Sequence, residues 1–406
     1  MKELPASSDW RKKMRGSLQE FISKKARSKH LKLREAKVLV IIDDTSRPTP
    51  TGEILPEATD VMTGLGFQEK NITVLVALGS HRAMTEAELK KKVGSVYGRV
   101  KVVQHDAWDE RAMFDFGEID IGGVPVKLLA NRLLHDCDIS LAIGMVAPHV
   151  DAGYSGGGKI ILPGVTHEST VTRFHMSASL MLGKHDLGYF VGNMEGPLRK
   201  ASDLAGKIVG LDAIVNVVLN TREEVAGVFV GDPIRDHRRA VAFAGRYFTP
   251  KLSGPADIVI VSSYPEDIDY WQGMKAEEIA FPVVKEGGTI IVLAECPDGP
   301  CPVEEHRKNL SLLGSNTFPE IMEMVKDGKL PHSISTAIVL EMASIREKAR
   351  TFVVAGGMSQ DECESMGIHK LGSLQEAVEA AYLVHGKRAR IAVLESSLLV
   401  PTLRKS

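Results

Sequence analysis

Short apolar runs rich in β-branched residues alternate with helix-like stretches through much of this chain. The runs read VLVII, ITVLVAL, KVVQ, ISLAIGMV and IVNVVL, and the helix-like stretches include TEAELKKKVG and ESTVTRFHMSASLML. Strands that are separated by helices usually lie parallel in one sheet, because each crossover returns the chain to the same edge. The pattern therefore predicts an α/β fold with parallel or mixed sheets flanked by helices.

A polar segment marked by glycine and proline, KLSGPAD, interrupts this alternation near residue 250. Beyond it, DIVIVSS, GTIIVLAE and TFVVAGG have the pattern of strands, while PEIMEMVKDG and SLQEAVEAAYLVHG have the pattern of helices. RIAVLESS closes the chain as a strand that could return to the first lobe. Because such polar breaks commonly separate domains, we expect two lobes, residues 1–250 and 251–406.

The composition of the 406 residues limits the kinds of partner. The formal net charge is −2, which gives no electrostatic case for nucleic acid or a membrane as a partner. No stretch approaches the roughly eighteen apolar residues of a membrane span, and the start of the chain lacks the apolar core of a signal peptide. Cys137, Cys296, Cys301 and Cys363 are too scattered for a disulfide framework. We therefore expect a cytoplasmic protein with free thiols.

A glycine-rich loop occupies residues 148–164, which read PHVDAGYSGGGKIILPG. Gly153 to Lys159 fits the phosphate-loop pattern G-x-x-x-x-G-K, whose backbone N–H groups and lysine can face an anion. However, Ile160 follows the lysine, where a nucleoside triphosphatase needs Ser or Thr to hold Mg²⁺. A triphosphatase is thus a disfavoured alternative. A second alternative is that the segment is a plain glycine-rich turn with a surface lysine and has no ligand.

Polar side chains follow four of the predicted strands. They are Asp44 and Arg47 after VLVII, His81 after ITVLVAL, His105 after KVVQ, and His149 after ISLAIGMV. The carboxyl ends of strands are the usual ligand position in an open α/β sheet, so we expect these groups to line a site. Thr85, just beyond His81, is a candidate N-cap for the next helix.

A further polar segment, YWQGMK, follows the strand-like DIVIVSS in the second lobe. Gln272 and Lys275 are three residues apart and would share one face of a helix that starts near Trp271. An amide donor and an ammonium group together can hold a carboxylate, although a solvated helix start is the alternative. Since polar groups come from both lobes, we expect the active site to form between them.

Taken together, DDTSRPTP, GSHR, QHDA, PHVDAGYSGGGKIILPG, His175 and YWQGMK resemble the lactate racemase family, whose members use a nickel-pincer nucleotide. The resemblance runs from about Asp43 to Lys275. It implies an isomerase that racemises or epimerises a 2-hydroxy acid, and it leaves open which acid. Holo-enzyme formation would then need the enzymes that synthesise the cofactor.

The resemblance also implies roles for individual residues. Lys159 would carry the cofactor, pyridinium-3-thioamide-5-thiocarboxylic acid mononucleotide, through a thioamide link, and His175 would complete the coordination of nickel. His105 and His149 would be paired general bases. Contacts to the cofactor would come from Asp44, His81, Gly156, Gly157 and Gly158, and contacts to the substrate from Arg47, Gln272, Lys275 and Trp271. Trp271 stands where lactate-selective members have Tyr, so a substrate other than lactate is expected.

The chemistry of a 2-hydroxy acid accounts for these residue types. Simple deprotonation at Cα would add a carbanion to a molecule that already carries a carboxylate. If instead a base takes the hydroxyl proton while a hydride passes to an electrophilic cofactor, a planar 2-keto acid forms that can be reduced on either face. Two histidines suit two enantiomers, and nickel suits imidazole and sulfur ligands. A non-catalytic protein that binds the nucleotide or nickel remains an alternative.

Overall fold

The computed structural model describes residues 4–182 and 187–403. The chain divides into two compact units, each made of several segments. Unit 1 consists of Met1–Ala147, Tyr154–Val171 and Met194–Tyr247, and unit 2 of Pro148–Gly153, Thr172–Asn193 and Phe248–Ser406. Unit 2 thus takes in two segments that precede residue 250, and a domain boundary at that residue stays a prediction.

The strands of the described residues are, in chain order, β1 (Val38–Asp43), β2 (Ile72–Ala77), β3 (Lys101–Gln104), β4 (Met113–Ile121), β5 (Val124–Asn131), β6 (Ile139–Met145), β7 (Pro148–His149), β8 (Gly153–Tyr154), β9 (Ala213–Leu219), β10 (Val225–Gly231), β11 (Lys251–Leu252), β12 (Ala256–Ser262), β13 (Val284–Ala294), β14 (Ala349–Ala355), β15 (His369–Lys370), β16 (Ile391–Leu394) and β17 (Thr402–Leu403).

The α-helices of the same residues are, in chain order, α1 (Trp10–Ser28), α2 (Thr51–Leu65), α3 (Glu86–Val93), α4 (Leu133–Asp136), α5 (Glu168–Met181), α6 (Pro197–Ile208), α7 (Arg235–Phe248), α8 (Tyr270–Gly273), α9 (Lys275–Ala280), α10 (Glu304–Leu310), α11 (Phe318–Lys326), α12 (Ile334–Lys348), α13 (Gln360–Ser365) and α14 (Leu374–His385). Of these described helices, none has both the length and the apolar character that crossing a membrane requires.

Unit 1 contains a mixed sheet in the order β10-β9-β6-β1-β2-β3. All neighbouring strands in it are parallel except β9 and β10. The central strands β1 and β6 are buried, except for Asp43 at the end of β1, which is the usual burial of parallel strands that are covered on both faces. The predicted α/β class with helix-flanked sheets is confirmed.

A β-hairpin, β4 and β5, adds to unit 1 and was not predicted from the sequence. Its two-residue turn is Gly122-Gly123, and both glycines have positive φ, +64° and +91°. Two-residue turns of this kind match the twist of the strands they join, and they require residues that tolerate left-handed φ. The end of β5, at Asn131, reaches one of the candidate site residues described below.

Unit 2 contains a parallel sheet in the order β15-β14-β13-β12-β16. Its core includes Ile258, Ile291 and Phe352 from the strands, packed against Ala377 and Ala381 of α14. The strand Ile391–Leu394, which the sequence left open to either lobe, pairs with β12 here. The polar segment YWQGMK follows β12 at the carboxyl edge of this sheet.

Thr85 caps α3, as predicted. Its side chain accepts a hydrogen bond from the Glu88 amide, and the Glu88 carboxylate accepts one from the Thr85 amide at 2.7 Å. This reciprocal pair satisfies amides that the first helical turn leaves open. The cap fixes the exit of the loop that carries His81.

All four cysteines are free thiols, as predicted. Burial raises the pKa of Cys137, Cys296 and Cys301 to about 12 and that of Cys363 to about 11. A thiol becomes a strong nucleophile only when it ionises. The thiols are therefore poor candidates for the chemistry of the site.

Candidate active site

Asp44 and His81 form a hydrogen-bonded pair at the carboxyl edge of the sheet in unit 1. Nδ1 of His81 lies 2.7 Å from Oδ2 of Asp44, and the hydroxyl of Ser46 donates to Oδ1 at 2.5 Å. Burial alone would raise the pKa of the Asp44 carboxyl, but His81, Ser46 and Arg47 together lower it below its ordinary value. The ionised carboxylate thus holds the proton on Nδ1, and Nε2 is the basic nitrogen of the neutral ring.

The loop that carries Arg47 is fixed by a buried lysine. Lys92 forms an ion pair with Asp43 at 2.8 Å and donates to the Arg47 carbonyl at 2.9 Å. The hydroxyl of Thr49 also donates to Asp43. Arg47 itself is only half-buried, and its guanidinium donates to the Ser46 carbonyl at 2.9 Å. The loop backbone is therefore held in place while the guanidinium remains partly exposed.

His105 lies at the end of β3, but its ring is 2% exposed. Nε2 donates to the Thr166 carbonyl at 3.0 Å, and Nδ1 accepts from the Asn131 amide group at 3.2 Å. Burial lowers the pKa of His105, so the ring is neutral at physiological pH. Both nitrogens are therefore used inside unit 1, which is the arrangement of a histidine that holds structure together.

His149 and His175 are linked through Asp151 in unit 2. The amide of Asp151 donates to Nδ1 of His149 at 3.1 Å, and the amide of Ala152 does so at 3.4 Å. The carboxylate of Asp151 lies 3.2 Å from Nδ1 of His175. Because Nδ1 of His149 is an acceptor, its neutral ring carries its proton on Nε2.

The surroundings of His175 fit a metal ligand. Its side chain is 14% exposed, and the contact between its Nδ1 and Oδ2 of Asp151 is not aligned as a hydrogen bond. Nδ1 of His175 and Oδ1 of Asp151 each lack a hydrogen-bond partner among the described residues. Histidines that bind metals usually face a carboxylate with the other nitrogen, so Nε2 is the nitrogen suited to a metal. Within residues 4–182 and 187–403, no three His, Cys, Asp or Glu side chains are grouped to hold a metal ion.

Two buried glutamates, Glu278 on α9 and Glu341 on α12, lie within electrostatic reach of Asp151. They are 2% and 1% exposed, and in the described part of the chain Oε2 of each lacks a hydrogen-bond partner. Burial, followed by the charge of Asp151, raises the pKa of both carboxyls well above the ordinary value. Glu341 is also 2.9 Å from the hydroxyl of Ser179, which is on the same helix as His175.

Gln272 and Lys275 are in direct contact, which confirms that they share one side of the helical segment. Nζ of Lys275 donates to Oε1 of Gln272 at 2.5 Å and lies 3.6 Å from Glu266. Asp269 caps α8 by accepting from the Gln272 amide at 2.8 Å. Trp271 stacks on the ring of His306, with centroids 4.3 Å apart. These contacts fix the segment YWQGMK in unit 2.

The glycines before Lys159 allow the loop to pack closely against other parts of unit 1. Gly156 and Gly157 have positive φ, +78° and +57°. A β-carbon at Gly156 would come 2.8 Å from Val146, and one at Gly157 would come 2.9 Å from His237. A side chain at either position would therefore collide with the surrounding protein. The loop then enters a short 3₁₀ turn, Gly157–Ile160, in which Lys159 is half-buried.

The same loop does not form an open cradle of amides for a phosphate. The Gly157 amide donates to Oδ1 of Asn216 at 3.1 Å, and the Lys159 amide donates to the Gly156 carbonyl at 3.3 Å. A phosphate loop presents such amides to its ligand instead. Together with Ile160, these hydrogen bonds argue against a triphosphatase.

Comparison with known families decides where this arrangement belongs. Residues 1–186 match the lactate racemase N-terminal domain, and residues 252–400 match the lactate racemase C-terminal domain. The chain belongs to the lactate racemase family. Both lobes of the family are thus represented, and together the two matches take in every candidate site residue.

Two curated lactate racemases are similar to this member of the family. That of Thermoanaerobacterium thermosaccharolyticum is 32% identical over 265 residues, which are 64% of this chain and 60% of the relative. That of Lactiplantibacillus plantarum is 28% identical over 391 residues, which are 92% of this chain and 85% of the relative. The first match therefore spans less than two thirds of the relative's length.

Two solved structures are similar to this chain in fold. The lactate racemase apoprotein from T. thermosaccharolyticum has a TM-score of 0.79 at 25% identity, covering 96% of this chain and 93% of that one. A protein from Thermotoga maritima has a TM-score of 0.78 at 19% identity, covering 97% and 98%. The second likeness concerns the fold alone.

Several residues of the lactate racemase fold that surround the site were not indicated by the sequence. Asp151 stands inside the quoted glycine-rich motif, so its position beside His149 was visible although its contact with His175 was not. Glu341 is a single acid within the apolar stretch ISTAIVLEMAS, a signal that could have marked a buried charge. Glu278 lies in KAEEIA, where nothing distinguishes it from a solvated residue.

Proposed function

We propose that this protein is a 2-hydroxy acid racemase or epimerase that inverts Cα by reversible hydride transfer, with His81 and His149 as its acid–base groups. The observation that carries the proposal is the Asp44–His81 pair, in which a buried carboxylate 2.7 Å from Nδ1 orients the ring. A histidine oriented in this way presents Nε2 as a general base, as in other carboxylate–histidine pairs.

We assign the base role to His81 in place of His105, the residue that the sequence suggested. The side chain of His81 is 32% exposed, whereas His105 is 2% exposed. A base must reach the proton that it abstracts, and both nitrogens of His105 are engaged by Thr166 and Asn131. His105 is better suited to joining β3 to the end of β5.

His149 is retained as the second acid–base group on the strength of the family resemblance. In the arrangement described here its Nδ1 accepts two backbone amides, so Nε2 carries the proton of the neutral ring. Nε2 can accept a proton only if the proton it already carries moves to Nδ1, and this requires the two amides to release Nδ1. We therefore propose that the turn between β7 and β8 adjusts during turnover.

Lys159 and His175 are the residues that would hold the nickel-pincer nucleotide. When bound, this cofactor would supply an electrophilic centre that takes a hydride from Cα and returns it. The half-buried amine of Lys159 would provide the covalent link, and Nε2 of His175 would be the protein's ligand to nickel. The unpartnered Nδ1 of His175 beside Asp151 supports this assignment.

The substrate carboxylate would be held by Arg47, Gln272 and Lys275. A guanidinium offers a planar fork to a carboxylate, and an amide donor with an ammonium group completes the set. Trp271, fixed by its stacking on His306, would adjoin the variable substituent of the acid. Because Trp is larger than the Tyr expected in lactate-selective members, we propose a substrate other than lactate. The cofactor-synthesis enzymes as partners, and a cytoplasmic location, belong to the same proposal.

Two other functions were open from the sequence. A triphosphatase is disfavoured, because the Gly157 and Lys159 amides are bound within unit 1 and Ile160 offers no oxygen to Mg²⁺. A non-catalytic binder of nickel or nucleotide would have no use for an ionised carboxylate oriented on a half-exposed imidazole, so the Asp44–His81 pair favours an enzyme.

The test is a chiral chromatography screen of protein produced together with the cofactor-making enzymes. Lactate, malate, 2-hydroxyglutarate, phenyllactate and sugar acids are each supplied as one stereoisomer, and the appearance of the other is measured. Inversion of at least one acid, abolished by Lys159→Ala, is expected. A protein that carries the cofactor and inverts none of a wide panel would favour the non-catalytic alternative.

A further inference from the structure

We infer that Arg199 and His237 are positioning residues for Lys159, because they hold the backbone of the loop immediately before it in one conformation. The inference rests on the proposed function in one respect, namely that Lys159 carries the cofactor. All the contacts involved lie within unit 1. The loop itself comprises residues 154–157.

Arg199 on α6 is fully buried and directs its guanidinium at this loop. Nη1 donates to the Tyr154 carbonyl at 3.0 Å and to the Gly156 carbonyl at 3.2 Å. Nε donates to Asp203 at 3.0 Å, and Nη2 donates to the same carboxylate oxygen. Arg238 shares the other oxygen of Asp203. One guanidinium thus binds two loop carbonyls while its charge is balanced one helical turn away.

His237 on α7 binds the carbonyl between those two. Nε2 donates to the Ser155 carbonyl at 2.8 Å, and Arg238 donates to Nδ1 at 3.1 Å. Burial, then the charge of Arg199, lowers the pKa of His237 well below its ordinary value, so the ring is neutral and its proton stays on Nε2. Three consecutive carbonyls of the loop are therefore bound by two buried side chains.

The turn that carries Lys159 is also held by β9 on the side before the lysine and by α6 on the side after it. Asn216 accepts from the Gly157 amide at 3.1 Å, and the hydroxyl of Ser202 on α6 donates to the Leu162 carbonyl at 2.9 Å. Gly158 packs so closely on the backbone of Ser202 that a side chain would not fit. The turn that carries Lys159 is thus restrained on both sides.

Burying an arginine is unfavourable, because the free energy lost when its charge leaves water must be offset by well-placed partners. Here the partners are the carboxylate of Asp203 and the carbonyls of Tyr154 and Gly156. A fixed backbone determines where the lysine side chain starts, and small displacements of a reacting group reduce rates strongly. This is what a residue that forms a covalent link to a large cofactor requires.

The test compares four variants in the cofactor-free protein by hydrogen exchange of peptides spanning residues 154–161. Arg199→Met and His237→Leu remove donors to the loop, whereas His237→Gln keeps an N–H donor at the position of Nε2. Leu18→Ala is the matched control. Leu18 is a buried residue of α1, so its truncation should weaken unit 1 away from the loop. We expect about tenfold faster exchange in the two donor-removing variants, wild-type exchange in His237→Gln, and no loop-specific change in Leu18→Ala.

A second measurement follows Lys159 itself. When each protein is produced with the cofactor-making enzymes, the adduct mass on Lys159 should fall about tenfold or more in Arg199→Met and His237→Leu and recover in His237→Gln. Unchanged loop exchange in folded Arg199→Met and His237→Leu, or equal loosening in Leu18→Ala, would overturn the inference. So would a full adduct on a loosened loop. If wild-type protein carries no adduct on Lys159, the proposed function fails instead, and the exchange comparison still decides whether the loop is held.

Discussion

Nδ1 of His81 and Oδ2 of Asp44 are 2.7 Å apart, although 37 residues separate them in the chain. The contact forms because β1 and β2 are parallel neighbours in register, with Asp43 opposite Ala77, so the loops after both strands start at the same edge. The sheet thereby places a buried carboxylate beside a half-exposed imidazole.

This pair predicts which histidine matters for turnover. His81→Gln and Asp44→Asn should lower kcat by about 10²–10⁴, the usual effect of losing an oriented general base. His105→Gln should instead cost about 1–3 kcal/mol of stability through its lost internal hydrogen bonds. Initial rates and urea unfolding of the three variants are the measurements. A folded His105→Gln protein as inactive as His81→Gln would restore the base role to His105.

Lys159→Arg should abolish both cofactor attachment and activity. The guanidinium stays protonated and is a poor nucleophile, so it cannot replace the amine in an acyl link. Peptide mapping by mass spectrometry of the protein made with the cofactor-making enzymes measures the attachment. Lys207→Arg, on α6 of the same unit, is a matched control and should retain the adduct. An adduct that persists in Lys159→Arg would place the attachment elsewhere.

His175 and His149 should differ in their effect on nickel. His175→Ala should lose nickel while leaving part of the organic adduct, whereas His149→Ala should keep nickel and lose turnover. Asp151→Asn should weaken nickel binding by about 10–100-fold, because a carboxylate no longer orients His175. Atomic emission on the purified proteins gives the nickel content. Equal nickel loss in His175→Ala and His149→Ala would contradict the division of roles.

A substrate deuterated at Cα should be inverted more slowly and still keep its deuterium. In hydride transfer the label never exchanges with water, whereas deprotonation at Cα by an imidazole would release it to solvent. Mass spectrometry of the product after many turnovers measures retention, with the unlabelled acid in D₂O as the control. Release of label during turnover would overturn the mechanism but not the family assignment.

Glu341→Gln should change how stability depends on pH. Burial, followed by the charge of Asp151, raises the pKa of Glu341 in the folded state above its ordinary value of 4.5. A raised pKa gives stability that is complete below the unfolded value and is lost as pH rises through the folded value, at about 1.4 kcal/mol per pKa unit. Glutamine does not titrate, so the stability of Glu341→Gln relative to wild type should increase as pH rises above 4.5.

Urea unfolding of wild type and Glu341→Gln at pH 5 and pH 8 measures this trend. Glu347 is exposed on the same helix, and Glu347→Gln serves as the control for a change of charge on α12. A difference between wild type and Glu341→Gln that does not vary with pH would show that the buried carboxyl has no raised pKa.

Most strands of the two large sheets could be predicted because their apolar runs and turn residues are local signals, whereas β10 and β15 were not predicted. The hairpin β4–β5 was missed although Gly122-Gly123 stands between two alternating segments. The choice between His81 and His105 could not be made locally, since both follow predicted strands. It depends on Thr166 and Asn131, which approach His105 from distant parts of the chain. Burial of Glu341 likewise depends on what covers both sides of its helix.

The interleaving of the two units means that neither can be produced by cutting the chain once. A fragment ending near residue 250 would contain Thr172–Asn193 without the partners that this segment has in unit 2. Ser179, for example, would lose the Ala337 carbonyl and the Glu341 carboxyl, at 3.0 and 2.9 Å. A chimaera of two relatives should therefore exchange all three segments of a unit together. A single crossover would build the core of a unit from segments of two different proteins.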